Sequence, residues 1–331
     1  MRVAIIPGDG IGPEVISAAV QAIEAVSADI EFEEAKMGLD SFKHTGSYLP
    51  NQTIELLQEV PAALFGAITS PLSYDPSYRS PLLHIRRKFD LYANVRPVKR
   101  LCSDLGLVDL DLIIIRENTE GMYTGVEHDV VGGVITERLV TENACRRLID
   151  YAVELCHRQG RKKLTCVHKS NVLRRSDGLF RRIFQERTEG ARLEREDMLV
   201  DAAAAALITK PKDLDVIVTL NLYGDILSDE ASALVGGLGF TPTVNMGDKL
   251  AIFEPTHGSA PDIAGKGIAN PTATILSAAM MLRHLGMNEK ASMLEVSIEK
   301  TLEQGHRTRD AGGQLRTDSF MDKYLEILET L

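Results

Sequence analysis

Asp225 and Asp229 stand four residues apart in the stretch Asn221–Glu230, NLYGDILSDE, directly after the β-branched run Val216–Thr219. On a helix that spacing puts both carboxylates on one face, one turn apart, where they repel unless a cation lies between them. Hard oxygen ligands suit Mg2+ or Mn2+, which takes one or two protein carboxylates and keeps positions for substrate and water. The competing reading makes Asp225 a helix cap and leaves Asp229 in solvent. Asp201, after the strand-like run Met198–Val200, offers a third carboxylate.

Three arginines supply the opposite charge. Arg86 lies in the amphipathic stretch Leu82–Asp90, Arg96 precedes Pro97 in an extended segment, and Arg116 ends the run Leu112–Ile115. Strand ends are where α/β proteins place ligand contacts. Guanidinium groups grip carboxylates bidentately, so convergence of the three predicts a substrate with two or three carboxylates. Taken singly, each arginine reads as a surface ion pair. Lys169, in His168-Lys169-Ser170-Asn171 at the end of the run Leu164–Val167, becomes a proton-transfer group where its pKa is depressed. The segment Glu254–Gly267, EPTHGSAPDIAGKG, resembles neither helix nor strand. Its backbone N–H groups are free to wrap a ligand, and Asp262 can accept hydrogen bonds from ribose hydroxyls. The turn Gly8–Pro13, GDGIGP, has its third glycine one residue too early for a dinucleotide fingerprint, so it reads as a strand-to-helix turn.

These residues must be held by an alternation of elements. Strand-like runs are Val3–Ile6, Ala63–Ala67, Leu112–Ile115, Leu164–Val167 and Val216–Thr219, and helical patterns include Pro13–Val26, Thr53–Glu59, Thr141–Arg158, Gly178–Glu189 and Asp225–Leu234. Such alternation predicts an α/β fold with a largely parallel sheet. The stretch Tyr123–Arg138 alternates polar and apolar residues around Gly132-Gly133 and reads as a projecting hairpin arm, whose apolar face a partner subunit would cover.

The chain has 331 residues and a formal charge of −10, with 44% apolar and 25% charged residues, which fits a packed globule of one or two domains. Aromatics make up 5% and Trp is absent, so neither a basic stripe nor a stacking platform for nucleic acid is expected. No run reaches the ~20 apolar residues of a membrane span. Met1-Arg2 leads straight into Val3–Ile6 without a secretory leader pattern, and the four cysteines form no CxxC pair, so a cytoplasmic protein with reduced thiols is expected.

The four clusters, in this order, resemble the β-hydroxyacid oxidative decarboxylase family, whose members include isocitrate, 3-isopropylmalate and homoisocitrate dehydrogenases. The motifs that carry the resemblance are long: Leu91–Pro97 (LYANVRP), Arg116–Gly121 (RENTEG), Gly224–Asp229 (GDILSD) and His257–Asp262 (HGSAPD). The resemblance runs from Gly8–Gly12 to Thr308–Gly313. It implies a two-domain, isopropylmalate dehydrogenase-like α/β fold that is not Rossmann, with a mostly parallel sheet and helices on both faces. Residues 1–97 and 246–331 would form the large cofactor-binding domain, and 98–245 the small domain with the arm and metal site. It also implies a homodimer, or a tetramer built of dimers, with shared sites.

In those terms Asp225, Asp229 and the neighbour's Asp201 would hold Mg2+ or Mn2+. Tyr123, Lys169 and Asp201 would be catalytic. Ser70, Ser80, Arg86, Arg96, Arg116, Tyr123, Lys169 and Asn171 would contact a di- or tricarboxylate. NAD would meet Ile11, Asn171, Glu254, His257, Gly258, Ser259, Ala260, Asp262, Ile263 and Asn270. NADP-using relatives carry Lys and Tyr where Asp262 and Ile263 stand here. Substrates of the family share a malate core, so selection falls on the group at C3, facing Thr69–Ser70 and Arg79–His84. This wall looks most like that of homoisocitrate dehydrogenases, with 3-isopropylmalate and isocitrate as alternatives. A non-catalytic regulatory subunit is disfavoured, since Tyr123, Lys169, Asp201, Asp225 and Asp229 are all present.

Overall fold

The computed structural model describes residues 1–71 and 78–331. The chain opens with β1 (Arg2–Gly8), α1 (Gly12–Ala25), β2 (Glu31–Glu34), α2 (Leu39–Thr45), α3 (Asn51–Glu59), β3 (Ala62–Ala67) and α4 (Pro81–Lys88). It continues through β4 (Ala93–Lys99) and β5 (Asp111–Glu117) to a ribbon of β6 (Glu127–Val130) and β7 (Gly133–Thr136). Then follow α5 (Glu142–Gln159), β8 (Lys163–His168), α6 (Ser176–Arg187), β9 (Glu194–Leu199), α7 (Val200–Thr209), β10 (Val216–Thr219) and α8 (Asn221–Leu234). The last elements are β11 (Pro242–Met246), β12 (Ala251–Pro255), α9 (Thr272–His284), α10 (Asn288–Glu303) and α11 (Thr317–Leu328).

Among the described residues ten strands join in one sheet, ordered β2-β1-β3-β12-β11-β4-β5-β10-β8-β9. The block β2-β1-β3-β12 is parallel, and so is β5-β10-β8-β9. Between the blocks the pairings β12–β11, β11–β4 and β4–β5 are antiparallel. The sheet is thus largely parallel, as expected, and mixed only through an antiparallel seam at its centre.

Strand side chains alternate between faces, and here the two faces differ in kind. On one face Val3, Leu64, Val95, Ile113, Ile115, Val216, Val218, Val244 and Phe253 belong to one continuous apolar core under α1, α5, α6, α9, α10 and α11. On the other face the core is split. Ala63, Phe65 and Ile252 pack with α3 and α4, whereas Leu112, Ile114 and Ile217 pack with α7 and α8. In the gap, on the strands of the seam, the same parity presents Asn94, Arg96, Arg116, Asn245 and Glu254, all buried. Alternation has aimed five polar side chains at one place, and burying them demands partners.

Several expected bounds shift. The helix expected at Asp225–Leu234 begins at Asn221, so Asp225 lies in its second turn and caps nothing; the capping reading is overturned. Gly224 lies inside this helix although glycine costs ~1 kcal/mol in a helix interior. A Cβ at 224 would lie 2.6 Å from Cβ of Arg116, so the glycine makes room for the arginine that crosses the helix. Strands β2, β11 and β12 and helices α9–α11 were not expected. The arm resolves into β6 and β7 joined at Val131-Gly132, with Val130, Val131, Val134 and Ile135 exposed, and Tyr123 in the short turn Met122–Thr124 before it.

The glycine turn also has a packing reason. Gly8 adopts φ +74°, and a Cβ there would sit 1.9 Å from the Ala67 carbonyl oxygen. The Ile11 amide donates to the Ser259 carbonyl at 2.9 Å, binding this turn to the 254–267 loop. All four cysteines are buried free thiols. Burial pushes Cys145 up to about 12 and Cys156 to about 11, which keeps both protonated and unreactive.

Candidate active site

Arg116 leaves the end of β5 and lies against the first turns of α8. Its Nε and Nη2 donate to Asn221 Oδ1 at 2.9 and 2.7 Å, and its Nη1 pairs with Asp225. Arg96, from β4, donates to Asn94 Oδ1 (2.8 Å), Ser228 Oγ (2.6 Å), Asp229 Oδ1 (3.0 Å) and Asp225 Oδ1 (3.3 Å). Arg86, from the last turn of α4, reaches Glu254 Oε1 at 3.4 Å, and its buried Nε has no hydrogen-bond partner among the described residues. The expected convergence of the three arginines is present.

The cluster sets three guanidiniums against three carboxylates, Glu254, Asp225 and Asp229. Burial and the neighbouring Arg96 and Arg86 lower the Arg116 guanidinium to about 10. Burial also lowers Arg86. The two aspartates separate. Burial pushes Asp225 up, but Arg116, the Tyr123 hydroxyl and Arg96 outweigh it and hold the carboxyl below its ordinary value. Asp229 is raised by burial and by Asp225, against the pull of Arg96. Tyr123 donates to Asp225 Oδ2 at 2.5 Å beneath the Arg116 guanidinium, which lies 5.0 Å from its ring centroid; burial and this bond raise the phenol. With two hard carboxylates on one helix face, and the Asp229 side chain 53% exposed, the donor set fits a divalent cation.

A chain of buried amides supports the cluster and was not singled out as functional in the sequence. Asn94 Nδ2 donates to Asn245 Oδ1 at 2.9 Å, Asn118 Nδ2 donates to the same oxygen at 2.9 Å, and Asn245 Nδ2 donates to Glu254 Oε1 at 2.6 Å. Arg96 and Arg86 are thus linked across the seam through Asn94, Asn245 and Glu254. A polar residue flanked by buried apolar ones in a strand was the available signal.

The 254–270 segment forms a second neighbourhood. Ile11, Val15, Ala260, Ile263 and Ala269 make a small apolar patch. Thr69 Oγ1 donates to Ser259 Oγ at 2.8 Å, and Asn270 donates to Asp310 Oδ2 at 2.9 Å. His257 is lowered by burial, its Nδ1 is 3.0 Å from the Gly258 carbonyl oxygen, and its buried Nε2 lacks a partner among the described residues. An unpartnered ring nitrogen, an apolar patch and exposed Asp262 fit a dinucleotide. Ser80 Oγ accepts from the Leu83 amide as the N-cap of α4, and Ser70 Oγ lies 3.3 Å from the Tyr78 hydroxyl.

Three predicted residues lie apart. Lys169 Nζ donates to Asp201 Oδ1 at 2.7 Å, and Asn171 is exposed beside them. Among the described residues neither Lys169 nor Asp201 bonds to the arginine–aspartate cluster of its own chain. No group of three His, Cys, Asp or Glu side chains able to hold a metal occurs among them either, and no helix of the described residues is long and apolar enough to cross a membrane.

The sequence model of the isocitrate/isopropylmalate dehydrogenase family matches residues 2–324. A 3-isopropylmalate dehydrogenase of Methanothermobacter thermautotrophicus is 46% identical, covering 96% of this chain and 95% of that protein. A homoisocitrate dehydrogenase of Methanocaldococcus jannaschii is 44% identical, over 99% of this chain and 98% of that one. The crystal structure of isocitrate dehydrogenase from Methylococcus capsulatus superposes with a TM-score of 0.94 at 38% identity, covering 99% of both chains. Three substrates are named at nearly equal similarity, so overall likeness does not choose among them.

Proposed function

The chain belongs to the isocitrate/isopropylmalate dehydrogenase family of oxidative decarboxylating dehydrogenases, and from that premise we propose that it oxidises and decarboxylates homoisocitrate to 2-oxoadipate, with longer homologues as an extension, using NAD and Mg2+ or Mn2+. The observation that carries the reading is a single cluster in which Arg96 and Arg116 meet on Asp225, Arg96 also reaches Asp229, Arg86 pairs with Glu254, and Tyr123 is hydrogen-bonded to Asp225. Three positive and three negative groups already balance, so a divalent cation entering with the substrate would offset two of the negative charges that a polycarboxylate brings.

Bound at these residues, the cation supplies Lewis-acid stabilisation of developing negative charge, and NAD supplies a hydride acceptor. Asp225, Asp229 and the partner subunit's Asp201 would hold the cation. Arg86, Arg96 and Arg116 orient the carboxylates of the malate core. The partner subunit's Lys169, through water, takes the proton of the substrate hydroxyl. Tyr123 Oη returns a proton to the carbon that loses CO2. Ile11, Asn171, Glu254, the loop His257–Ile263 and Asn270 hold the dinucleotide. Residues 1–97 with 246–331 would form the large cofactor-binding domain and 98–245 the small one, and the exposed arm would pair with a second copy in the cytoplasmic homodimer.

The choice of homoisocitrate rests on the first turn of α4. Leu82 and Leu83 lie four and three residues before Arg86, hence on its face of the helix, one turn away. Arg79 and the N-cap Ser80 lead directly into that turn, and Ser70 Oγ lies 3.3 Å from the hydroxyl of Tyr78 just before them. Two leucines suit the methylenes of a longer chain, while the hydroxyls and Arg79 suit a third, distal carboxylate. The same leucines favour 3-isopropylmalate as the second reading, and isocitrate would want an amide donor where Leu82 stands. The reading is tested with the purified chain alone, Mg2+, NAD+ and homoisocitrate. One NADH and one CO2 per substrate, abolished by EDTA, is the expected result. No turnover by the folded chain would favour a regulatory subunit.

NAD+ should be preferred over NADP+ by at least about tenfold in kcat/KM, because Asp262 would face the 2′-phosphate with like charge. Equal or better use of NADP+ would contradict the placement of the ribose at Asp262.

A further inference from the structure

Away from the arginine–aspartate cluster the chain buries a second ionic hub. Asp177, in the first turn of α6, is fully buried. Its Oδ2 accepts the Lys169 backbone N–H at 2.7 Å and the Tyr223 hydroxyl at 3.0 Å. Its Oδ1 accepts the Arg138 guanidinium and, at 3.3 Å, the Ser176 hydroxyl. Arg138 lies two residues beyond β7, and its guanidinium sits 5.1 Å from the Tyr223 ring centroid. Tyr223 stands two residues before Asp225 on α8. One carboxylate therefore joins the root of the arm, the turn that bears Lys169 and the helix that bears the aspartate pair.

An acidic residue in a first helical turn usually serves the helix's own amides. Asp177 does not, since apart from Ser176 every group on its carboxylate belongs to another element. The Lys169 peptide is held at both ends. Its N–H is on Asp177, and its carbonyl accepts the amides of Val172 and Leu173 at 3.0 and 2.9 Å. We propose that Asp177 is a positioning residue that keeps the Lys169 turn in register with the arm reaching toward the partner subunit. This rests on the role of Lys169 given above.

The test is a double-mutant cycle on the full-length enzyme, with whichever family substrate is turned over fastest. Asp177→Asn should lower kcat about 10- to 100-fold through misplacement of Lys169, with substrate KM little changed. In a Lys169→Ala background the same change should alter kcat by less than about twofold, because its route of action is gone. Fully additive losses would make Asp177 a support of the fold and overturn the proposal, as would wild-type kcat in Asp177→Asn. Since Asp177→Asn leaves Arg138 as an unpaired, largely buried charge, the pair Asp177→Asn/Arg138→Gln is carried through the same cycle. Hydrogen exchange gives a readout without turnover. Amides of residues 169–173 and 134–139 should exchange faster in both variants, and unchanged exchange overturns the proposal. Wild-type activity in Lys169→Ala would instead sink the proton-transfer role of Lys169 and take the proposal with it. If the wild-type chain turns over no family substrate, the dehydrogenase reading fails and exchange alone decides on Asp177.

Discussion

Asp229→Asn is expected to lower kcat/KM by about a thousandfold, the scale of losing a preorganised charge at the reacting centre. Its melting temperature should stay within about 3 °C of wild type, since an exposed ion pair contributes at most about 1 kcal/mol. The Asp229 side chain is 53% exposed and, among the described residues, bonds only Arg96, which keeps Asn94, Ser228 and Asp225 as acceptors. Asp225→Asn should lose activity and stability together. It strips the carboxylate from Arg116, whose side chain is 2% exposed, and from the Tyr123 hydroxyl. Breaking a buried pair from one side costs about 3–5 kcal/mol, reduced here because Asp225 itself is one-third exposed. Steady-state kinetics and thermal unfolding of both variants give the contrast. Near wild-type turnover in Asp229→Asn would remove the metal assignment.

The second large effect concerns the separation of Lys169 and Asp201 from the cluster. If each site combines one subunit's Asp225 and Asp229 with the neighbour's Lys169, two dead variants should complement. Lys169→Ala and Asp229→Asn chains, co-expressed and mixed at random, would place one intact site in each heterodimer. Half of the dimers would be mixed, each with one working site of two, so activity should recover to about a quarter of wild type. No recovery, with mixed dimers demonstrated by two affinity tags, would mean that each chain completes its own site.

What could be read from residues alone divides along physical lines. Strands β1, β3, β5, β8 and β10 are short apolar runs buried on both faces, and such runs are legible without context. Strands β11 (PTVNM) and β12 (AIFEP) were not, because Asn245 and Glu254 interrupt their apolar pattern to face the site. Helix α9 escaped for the opposite reason. Nearly every one of its residues is buried, so it has no polar stripe to give it a 3.6-residue period. The arginines and aspartates announced themselves by type and spacing. The supporting Asn94, Asn118 and Asn245 did not, since a buried amide is recognisable only once the strands that bury it are paired. The start of α8 at Asn221 rather than Asp225 escaped for a related reason: Gly224 is a poor helix former locally, whereas the Arg116 side chain it admits comes from 108 residues away in sequence.

The most direct measurement of the central claim is the ratio of kcat/KM for homoisocitrate over 3-isopropylmalate, with the purified chain, NAD+ and Mg2+. A wall with Ser70, Arg79 and Ser80 beside Leu82 and Leu83 offers hydroxyls and a positive charge that a distal carboxylate would meet and an isopropyl group would not. That mismatch should give a ratio of about 100 or more in favour of homoisocitrate. A ratio of one or less would contradict the account and assign the chain to 3-isopropylmalate oxidation.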